Sequence, residues 1–184
     1  MKKTSKHIKD IVIASLFIAL GIVLPFLTGS NQQLGSVFLL MHIPTLIAGL
    51  VLGFKYGFLV GLITPFLRSI LVGMPPLFPI AITMMFELAS YGLFIGLAYK
   101  LLPKRPLFVY VSLSISLILG RVIWGLAAKI FYGLAGMTFT FDKFITAGFV
   151  TSLPGITIQI VLVPLLFISL KRTQVFNINN EEKE

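Results

Sequence analysis

The stretch IVIASLFIALGIVLPFLT, residues 11–28, contains 18 consecutive residues without a charged side chain. A helix of this length and composition is long enough to cross most of the ~30 Å hydrocarbon layer of a bilayer. The whole chain has the same character, since 57% of its 184 residues are hydrophobic and 11% are charged, against roughly 25% charged residues in soluble domains. One small core could not enclose so much apolar surface. The sequence therefore indicates an integral membrane protein.

Charged residues and clusters of turn-forming residues divide the chain into six apolar segments of membrane-spanning length. We predict an all-α membrane protein with six transmembrane helices and both termini in the cytoplasm. The predicted spans are residues 11–28, 37–53, 56–73, 80–99, 107–132 and 144–170. They form one transmembrane domain, residues 11–170, between a basic cytoplasmic N-terminus, residues 1–10, and a charged cytoplasmic C-terminal tail, residues 171–184.

The distribution of Lys and Arg predicts this orientation. With both termini in the cytoplasm, eleven of the 15 basic residues lie on the cytoplasmic side and only Lys143 lies in an outer loop, which agrees with the positive-inside rule. The net charge of +9 does not indicate nucleic-acid binding, because the charges separate apolar segments instead of sharing one folded face. The eleven residues are Lys2, Lys3, Lys6, Lys9, Lys55, Lys100, Lys104, Arg105, Lys171, Arg172 and Lys183.

Four ionisable side chains fall inside the predicted spans: Arg68, Glu87, Arg121 and Lys129. Each costs roughly 2.5–3.5 kcal/mol at the centre of a bilayer, so each needs a partner, water or a function. All but Arg121 fall in the outer half of the membrane, which predicts a polar pocket that opens to the outside, with its floor near Arg121. Two simpler interpretations stay open: Arg68 and Glu87 form a structural ion pair, or Lys129 extends to the outer headgroups.

Three cations against one carboxylate leave two excess positive charges in the spans, which favours an anionic ligand. Arg121 has no evident counter-ion, and its fork of donors suits a carboxylate, so it is the leading candidate for binding one. Trp124 follows three residues later on the same helix face and can form a wall of the pocket. His42, beside Pro44, either lines the site or bonds a carbonyl at the proline kink, and we favour the second interpretation.

The outer loops add further candidates. Gln32 and Gln33, with Asn31, offer neutral donors and acceptors for a polar ligand. Apolar side chains of the later outer loops could close over such a ligand, or belong to the aromatic belt at the membrane interface. They are Met74, Phe78, Phe139 and Phe141.

Motifs of catalytic and metal sites are absent from the sequence. The chain has no GxxxxGK[ST], HExxH or GxSxG string and no metal-ligand spacing. It also has no cysteine, which excludes disulfides and a cysteine nucleophile. We therefore expect no catalytic residue, no metal site, no cofactor and no enzymatic activity.

Several features follow one another in a characteristic order: a polar first outer loop, LMHIP at residues 40–44, glycines from Gly49 to Gly61 around Lys55, and GMPP at residues 73–76. This order resembles the substrate-binding S component of energy-coupling factor (ECF) vitamin transporters, over residues 8–172. The resemblance implies a six-helix protein of the bacterial cell membrane that captures a vitamin outside. It also implies two kinds of partner, a membrane-embedded T component and two cytoplasmic ATPase subunits that drive uptake.

The resemblance also implies residue roles. Family members contact the T component through an AxxxA strip in the first helix, and the matching step here is Ser15 to Ala19, with serine in place of one alanine. Family sites use the first loop and the outer parts of helices four, five and six. Glu87, Trp124 and Lys129 match these parts by position, whereas Arg121 is deeper and Arg68, in the third span, is less typical.

The identity of the vitamin stays open. Residues 41–91 look most similar to pantothenate-type S components, and the positive excess suits a ligand with a carboxylate. Folate, niacin and biotin also carry carboxylates, while riboflavin does not, so charge alone does not choose the vitamin. A different class of function, a small self-sufficient dimeric carrier driven by an ion gradient, also stays open.

Overall fold

A computed structural model describes residues 2–29 and 31–172 of the chain. Within this part the helices are α1 (Lys2–Val23), α2 (Gln32–Phe38), α3 (His42–Leu52), α4 (Phe54–Val72), α5 (Ile82–Leu101), α6 (Pro106–Leu134), α7 (Phe141–Ile145) and α8 (Leu153–Arg172). A 3-10 turn, Leu24–Thr28, extends α1, and π-helical turns, Leu77–Ala81 and Thr146–Val150, precede α5 and follow α7. No strand occurs among the described residues.

Within residues 2–29 and 31–172, six helical segments are long and apolar enough to cross a membrane. Their outward faces carry large exposed apolar side chains such as Leu71, Leu126 and Leu165, as contact with lipid requires. The predicted all-α fold with six spans is confirmed, whereas the cytoplasmic position of both termini stays a prediction. The six segments are Lys6–Thr28, Gln33–Leu52, Phe54–Val72, Leu77–Leu101, Pro106–Leu134 and Leu153–Arg172.

The second span starts earlier than predicted and is interrupted. α2 ends at Phe38, Leu39 adopts a left-handed conformation with φ 53°, and α3 begins at His42. Pro44 explains the interruption, because in a continuous helix its ring would clash with the carbonyl of Leu40 and it has no N–H to donate there. The left-handed conformation is strained for leucine.

The sixth predicted span, residues 144–170, has the wrong start. The structure places residues 141–150 in α7 and a π-helical turn, and α8 begins only at Leu153. Pro154 accounts for the new start, since its ring would oppose the carbonyl of Val150 in a helix that continued through it. Most of the predicted C-terminal tail, from residue 173 onward, lies outside the described residues.

Three glycines bring the backbones of α3, α4 and α5 into direct contact, and we call them the glycine seam (Gly49, Gly57 and Gly92). A Cβ atom on Gly57 would lie 2.6 Å from the Cα of Gly49 and 2.6 Å from the carbonyl oxygen of Gly92. In lipid, helices associate through close packing rather than through the hydrophobic effect, so small residues stabilise their contacts. The seam therefore fixes the mutual positions of three of the six spans.

Replacing Gly57 with alanine should destabilise the protein by about 1–3 kcal/mol, because the new methyl group would overlap backbone atoms of two neighbouring helices. The control is Gly133→Ala on α6, where an added Cβ meets no atom within 4 Å among the described residues. It should be neutral, or stabilising by up to about 1 kcal/mol through helix propensity. Thermal unfolding in detergent measures both variants, and equal melting temperatures would contradict the packing role of the seam.

Candidate functional site

A cavity of about 220 Å³ lies at the end of the bundle that is formed by residues 24–41, 73–80 and 135–150. Its walls come from the 3-10 turn, α2, and the neighbouring ends of α3, α4, α5 and α6. The described residues that line it include charged and neutral polar side chains set among apolar ones. The polar and aromatic ones are Thr28, Asn31, Ser36, His42, Arg68, Thr83, Glu87, Arg121, Trp124 and Tyr132.

The centre of the cavity wall is an ion pair between α5 and α6. Nη1 of Arg121 lies 2.6 Å from Oε1 of Glu87, and both residues are buried, with 4% and 2% of their surface exposed. The hydroxyl of Tyr91 donates to the same carboxylate at 3.0 Å. Nε2 of His42 lies 3.6 Å from Oε2 of Glu87, beyond hydrogen-bond distance. Glu87 therefore supplies the counter-ion of Arg121 that the sequence did not reveal.

The contact between α5 and α6 positions this ion pair. The hydroxyl of Ser116 donates to the carbonyl of Tyr91 at 2.9 Å, which ties the two helices together one turn away from Arg121. Gly120 packs directly against the Tyr91 ring, and a side chain there would occupy the space of the ring. Glycine at position 120 thus allows the Tyr91 hydroxyl to reach Glu87.

Arg68 occupies a different part of the cavity wall. Its Nη1 donates to the carbonyl of Ile22, at the end of α1, and its guanidinium lies 5.1 Å from the ring centroid of Phe26. The side chain is 3% exposed and still lines the cavity. The Arg68–Glu87 ion pair considered from the sequence is therefore wrong, because Glu87 pairs with Arg121 and Arg68 binds the backbone of α1.

The cavity carries one excess positive charge among the described residues that line it. Two guanidinium groups, of Arg68 and Arg121, face one carboxylate, of Glu87, with His42 taken as neutral. The sequence predicted an excess of two because it included Lys129. That side chain is exposed and does not line the cavity, since α6 turns Ala127 and Ala128 toward the interior instead.

Arg121 keeps free hydrogen-bonding capacity. Its Nε and Nη2 atoms have no hydrogen-bond partner among the described residues, and neither do the ring nitrogens of His42. Cζ of the guanidinium also lies over the ring of Trp124, 5.8 Å from the ring centroid, so the aromatic face stabilises its positive charge. Unpaired buried donors are costly, so this wall is suited to a ligand or water that accepts hydrogen bonds.

Aromatic side chains cover one side of the cavity. Trp124 lines the cavity. Its ring packs edge-on against Phe139, with 5.6 Å between the ring centroids, and roughly parallel to Phe144, with 6.1 Å between the centroids. Tyr132 lines the cavity too and contacts Phe139 at 5.6 Å. Among the four apolar loop residues predicted to close the site, Met74 lines the cavity, Phe139 supports Trp124, and Phe78 and Phe141 pack against other aromatic rings.

The predicted site residues thus separate into two groups. Arg68, Glu87, Arg121, Trp124 and His42 line one cavity, so the structure brings them together. The interpretation of His42 as a residue that bonds a carbonyl is wrong, because its ring nitrogens have no such partner among the described residues. Lys129 and Gln33 are exposed and do not line the cavity, and the side chain of Gln32 lies outside the described part.

Sequence reasoning missed several lining residues. Thr83, which lines the cavity, lies four residues before Glu87. Tyr91 lies four residues after Glu87 and donates to its carboxylate without lining the cavity itself. Spacing of four residues places side chains on one helix face, so the position of Glu87 could have indicated both. Ser36 and Thr28 carry no comparable signal, since they depend on how the segments before α3 fold over the cavity. Among the described residues, no group of three or more His, Asp or Glu side chains could hold a metal ion.

The fold and the cavity define the class: a multi-pass membrane protein with a small polar cavity between its helices. The chain belongs to the family of ECF transporter substrate-specific components, whose model matches residues 9–167. It is therefore a substrate-binding transport subunit rather than an enzyme, and the family implies a membrane T component, ATPase partners and a vitamin substrate. No curated protein and no solved structure matches the chain. The family resemblance of the sequence is confirmed without fixing the vitamin.

Proposed function

We propose that this S component captures a small monocarboxylate vitamin in the cavity, with pantothenate as the first candidate. The single observation that carries the proposal is that Nε and Nη2 of the buried Arg121 guanidinium, in the cavity wall, have no hydrogen-bond partner among the described residues. A ligand carboxylate would accept hydrogen bonds from these two donors. Asn31, Ser36 and Thr83 also line the cavity. The hydroxyls of Ser36 and Thr83 already donate to the carbonyls of Gln33 and Ile80, so toward a ligand they offer acceptor positions only.

The size of the cavity narrows the range of vitamins. Its volume of about 220 Å³ is below the roughly 300–1,000 Å³ of pockets that hold drug-sized ligands. This supports pantothenate, niacin or biotin over folate, which is larger and carries two carboxylates. Riboflavin lacks a carboxylate, and thiamine is a cation, so neither matches the charge.

The proposed orientation places both termini in the cytoplasm and the cavity at the outer end of the bundle. It rests on the distribution of basic residues along the chain. Ser15 and Ala19 are exposed on α1, and the Ser15 hydroxyl donates to the carbonyl of Ile11 at 2.9 Å within its own helix. The strip therefore presents a small surface with its polar group already satisfied, which supports it as the contact for the T component.

A panel of vitamins tests the substrate proposal. Purified protein in detergent should bind pantothenate, or otherwise niacin or biotin, in isothermal titration calorimetry, and should not bind riboflavin or thiamine. Ligand-binding assays of protein that has been unfolded and refolded without vitamin provide the control for ligand that copurifies. Tight binding of riboflavin or thiamine would contradict the proposal. A protein that binds none of the vitamins would contradict it as well.

Reconstitution tests the transport mechanism. In liposomes the chain alone should take up no labelled vitamin, and uptake should require the T component, both ATPase subunits and ATP. The matched control contains the complete complex with ADP in place of ATP. Uptake by the chain alone, driven by an ion gradient, would instead identify a self-sufficient carrier.

A further inference from the structure

His42 lines the cavity with polar atoms that the fold leaves unused. The residue is 2% exposed, and neither of its ring nitrogens has a hydrogen-bond partner among the described residues. Unpaired polar groups are costly inside a membrane protein. Nε2 of His42 lies 3.6 Å from Oε2 of Glu87, so a displacement of about 0.5 Å would bring the two atoms within hydrogen-bond distance.

The two carboxylate oxygens of Glu87 have different neighbours. Oε1 accepts hydrogen bonds from Nη1 of Arg121 at 2.6 Å and from the hydroxyl of Tyr91 at 3.0 Å. Oε2 is the oxygen that lies next to His42. Both nitrogens of a protonated imidazole donate, and an ionised carboxylate only accepts, so the two groups match. Glu87 can therefore pair with Arg121 through one oxygen and with a protonated His42 through the other.

The packing of α3 against α5 holds His42 beside this carboxylate. Gly49 lies two helical turns after His42, and a Cβ atom on it would lie 2.6 Å from the carbonyl oxygen of Gly92. On α5, Gly92 lies five residues after Glu87. The His42 ring also packs at a tilt against the Tyr91 ring, with 5.6 Å between the ring centroids. Contacts of backbone and ring thus fix the position of the imidazole.

The ionisable groups around His42 come from the three helices α4, α5 and α6. The 3-10 turn and α2 contain no ionisable side chain. Those of α1 and α8 occur at residues 2–10 and 171–172, at the ends of these helices that are remote from the cavity. The groups that line the cavity or contact the His42 ring are Glu87 and Tyr91 of α5, Arg121 and Tyr132 of α6, and Arg68 of α4.

The charges of these groups link a ligand anion to a proton. With a neutral imidazole, the described lining residues carry one excess positive charge. Protonation alone would raise the excess to two, at the first residue of α3, where the helix dipole also opposes a positive charge. A ligand carboxylate at Arg121 would remove one unit, and a proton on His42 would then restore the original charge. Ligand and proton therefore favour each other's binding.

We infer that His42 takes up a proton when the ligand carboxylate binds Arg121, an inference that rests on the proposed function. The proton comes from the solvent and leaves His42 donating from Nε2 to Oε2 of Glu87. His42 is thus a positioning residue, which holds Glu87 while two carboxylates share the guanidinium of Arg121. Since the complex binds more protons than the free protein, affinity is highest at low pH and falls as the imidazolium is lost with rising pH.

Calorimetry of the full-length wild type counts the protons. Titrations in phosphate and in Tris, buffers with different ionisation enthalpies, should show an uptake of about 0.5–1 proton per pantothenate, or per monocarboxylate identified by the panel, near pH 7. The dissociation constant should rise about 5- to 50-fold from about pH 6 to about pH 8.5. The vitamin carboxylate stays ionised over this range. Pantothenol, which has an alcohol in place of the carboxylate, should bind with an uptake of less than about 0.2 proton.

His42→Gln assigns the proton to its residue. Glutamine donates and accepts hydrogen bonds but does not titrate. The variant should take up less than about 0.2 proton, and its dissociation constant should vary less than about twofold over the same pH range. His7→Gln is the matched control, because His7 is the other histidine of the chain, exposed on α1 and 3.3 Å from the hydroxyl of Tyr56. It should match the wild type in both measurements.

Each outcome decides between the inference and the proposed function. Pantothenate binding by the wild type without proton uptake would overturn the inference and leave the proposed function standing. Uptake that persists in His42→Gln would overturn the assignment to His42, and equal uptake with pantothenol would overturn the link to the ligand carboxylate. A wild-type protein that binds no vitamin would instead overturn the proposed function, and the inference with it.

Discussion

Replacing Glu87 with methionine should destabilise the protein by about 3–5 kcal/mol, because it leaves the buried guanidinium of Arg121 without a counter-ion. The carboxylate lies 2.6 Å from Nη1 of Arg121, and both side chains are almost completely buried. If Glu87 contributed only neutral hydrogen bonds, the loss of stability would be smaller, since one such bond contributes about 0.5–1.5 kcal/mol. Unfolding in detergent, followed by temperature or denaturant, measures the loss.

The double variant Glu87→Met, Arg121→Met distinguishes an unpaired charge from lost packing. It should recover most of the stability, because two apolar side chains of similar size replace a buried ion pair at little cost. Leu97→Met, at a partly exposed position of α5, is the control and should change stability by less than about 0.5 kcal/mol. A double variant no more stable than Glu87→Met would show that Glu87 contributes through contacts other than Arg121.

Replacing Arg121 with glutamine should weaken pantothenate binding by about 100- to 1,000-fold, as expected when one member of a buried charge pair is removed from a binding site. The variant loses the donors that we propose bind the ligand carboxylate, and it leaves Glu87 without its cationic partner in the same wall. Both changes act against an anion. Calorimetry with pantothenate measures the effect, and thermal unfolding verifies that the variant is folded.

Pantothenol provides the control, because it has no carboxylate. Its affinity should fall less than about fivefold in Arg121→Gln, since only neutral hydrogen bonds are affected. Adding Glu87→Gln to Arg121→Gln should restore part of the pantothenate affinity by removing the repulsive carboxylate. Equal losses for pantothenate and pantothenol would show that Arg121 supports the fold of the site, and unchanged binding would remove Arg121 from the site.

The six spans and the costly charges within them were predictable from the sequence, because both depend on local composition. Long apolar segments and an ionised side chain inside one can be recognised without any knowledge of neighbouring helices. At Pro44 only a kink was expected where the helix breaks at Leu39, and the interruption before Pro154 was missed, although the two prolines mark both positions. Hydropathy continues through these prolines, so it conceals the break that their backbone chemistry causes.

The partner of Glu87 could not be predicted, because it depends on which face of α5 meets which helix. The backbone at Leu88 and Gly92 packs against Gly61 and Gly57 of α4. Glu87 and Tyr91 lie one residue earlier, on a face turned away from α4 and toward α6, where Arg121 and Ser116 lie. Thr83, Glu87 and Tyr91 recur every four residues and mark one face of α5, but nothing in the sequence tells which neighbouring helix that face meets.

The direction in which Lys129 points could not be predicted from the sequence either. Its depth along α6 agrees with the level of the cavity, but its direction around the helix does not. In the structure Ala127 and Ala128 are buried and Lys129 is exposed. The sequence of α6 does not indicate this, because long apolar side chains occur on all faces of the helix. Distance along the chain gave the depth of each charge, whereas only tertiary packing gave its direction.

The glycine seam has a consequence for how anything could cross the protein. Gly57 meets the backbone of both Gly49 and Gly92, whereas Gly49 also packs against the side chain of Ile95. Between α4 and its two neighbours the contact is therefore one of main chain against main chain, which a change of side-chain rotamer does not loosen. A passage between these helices would require the helices themselves to separate.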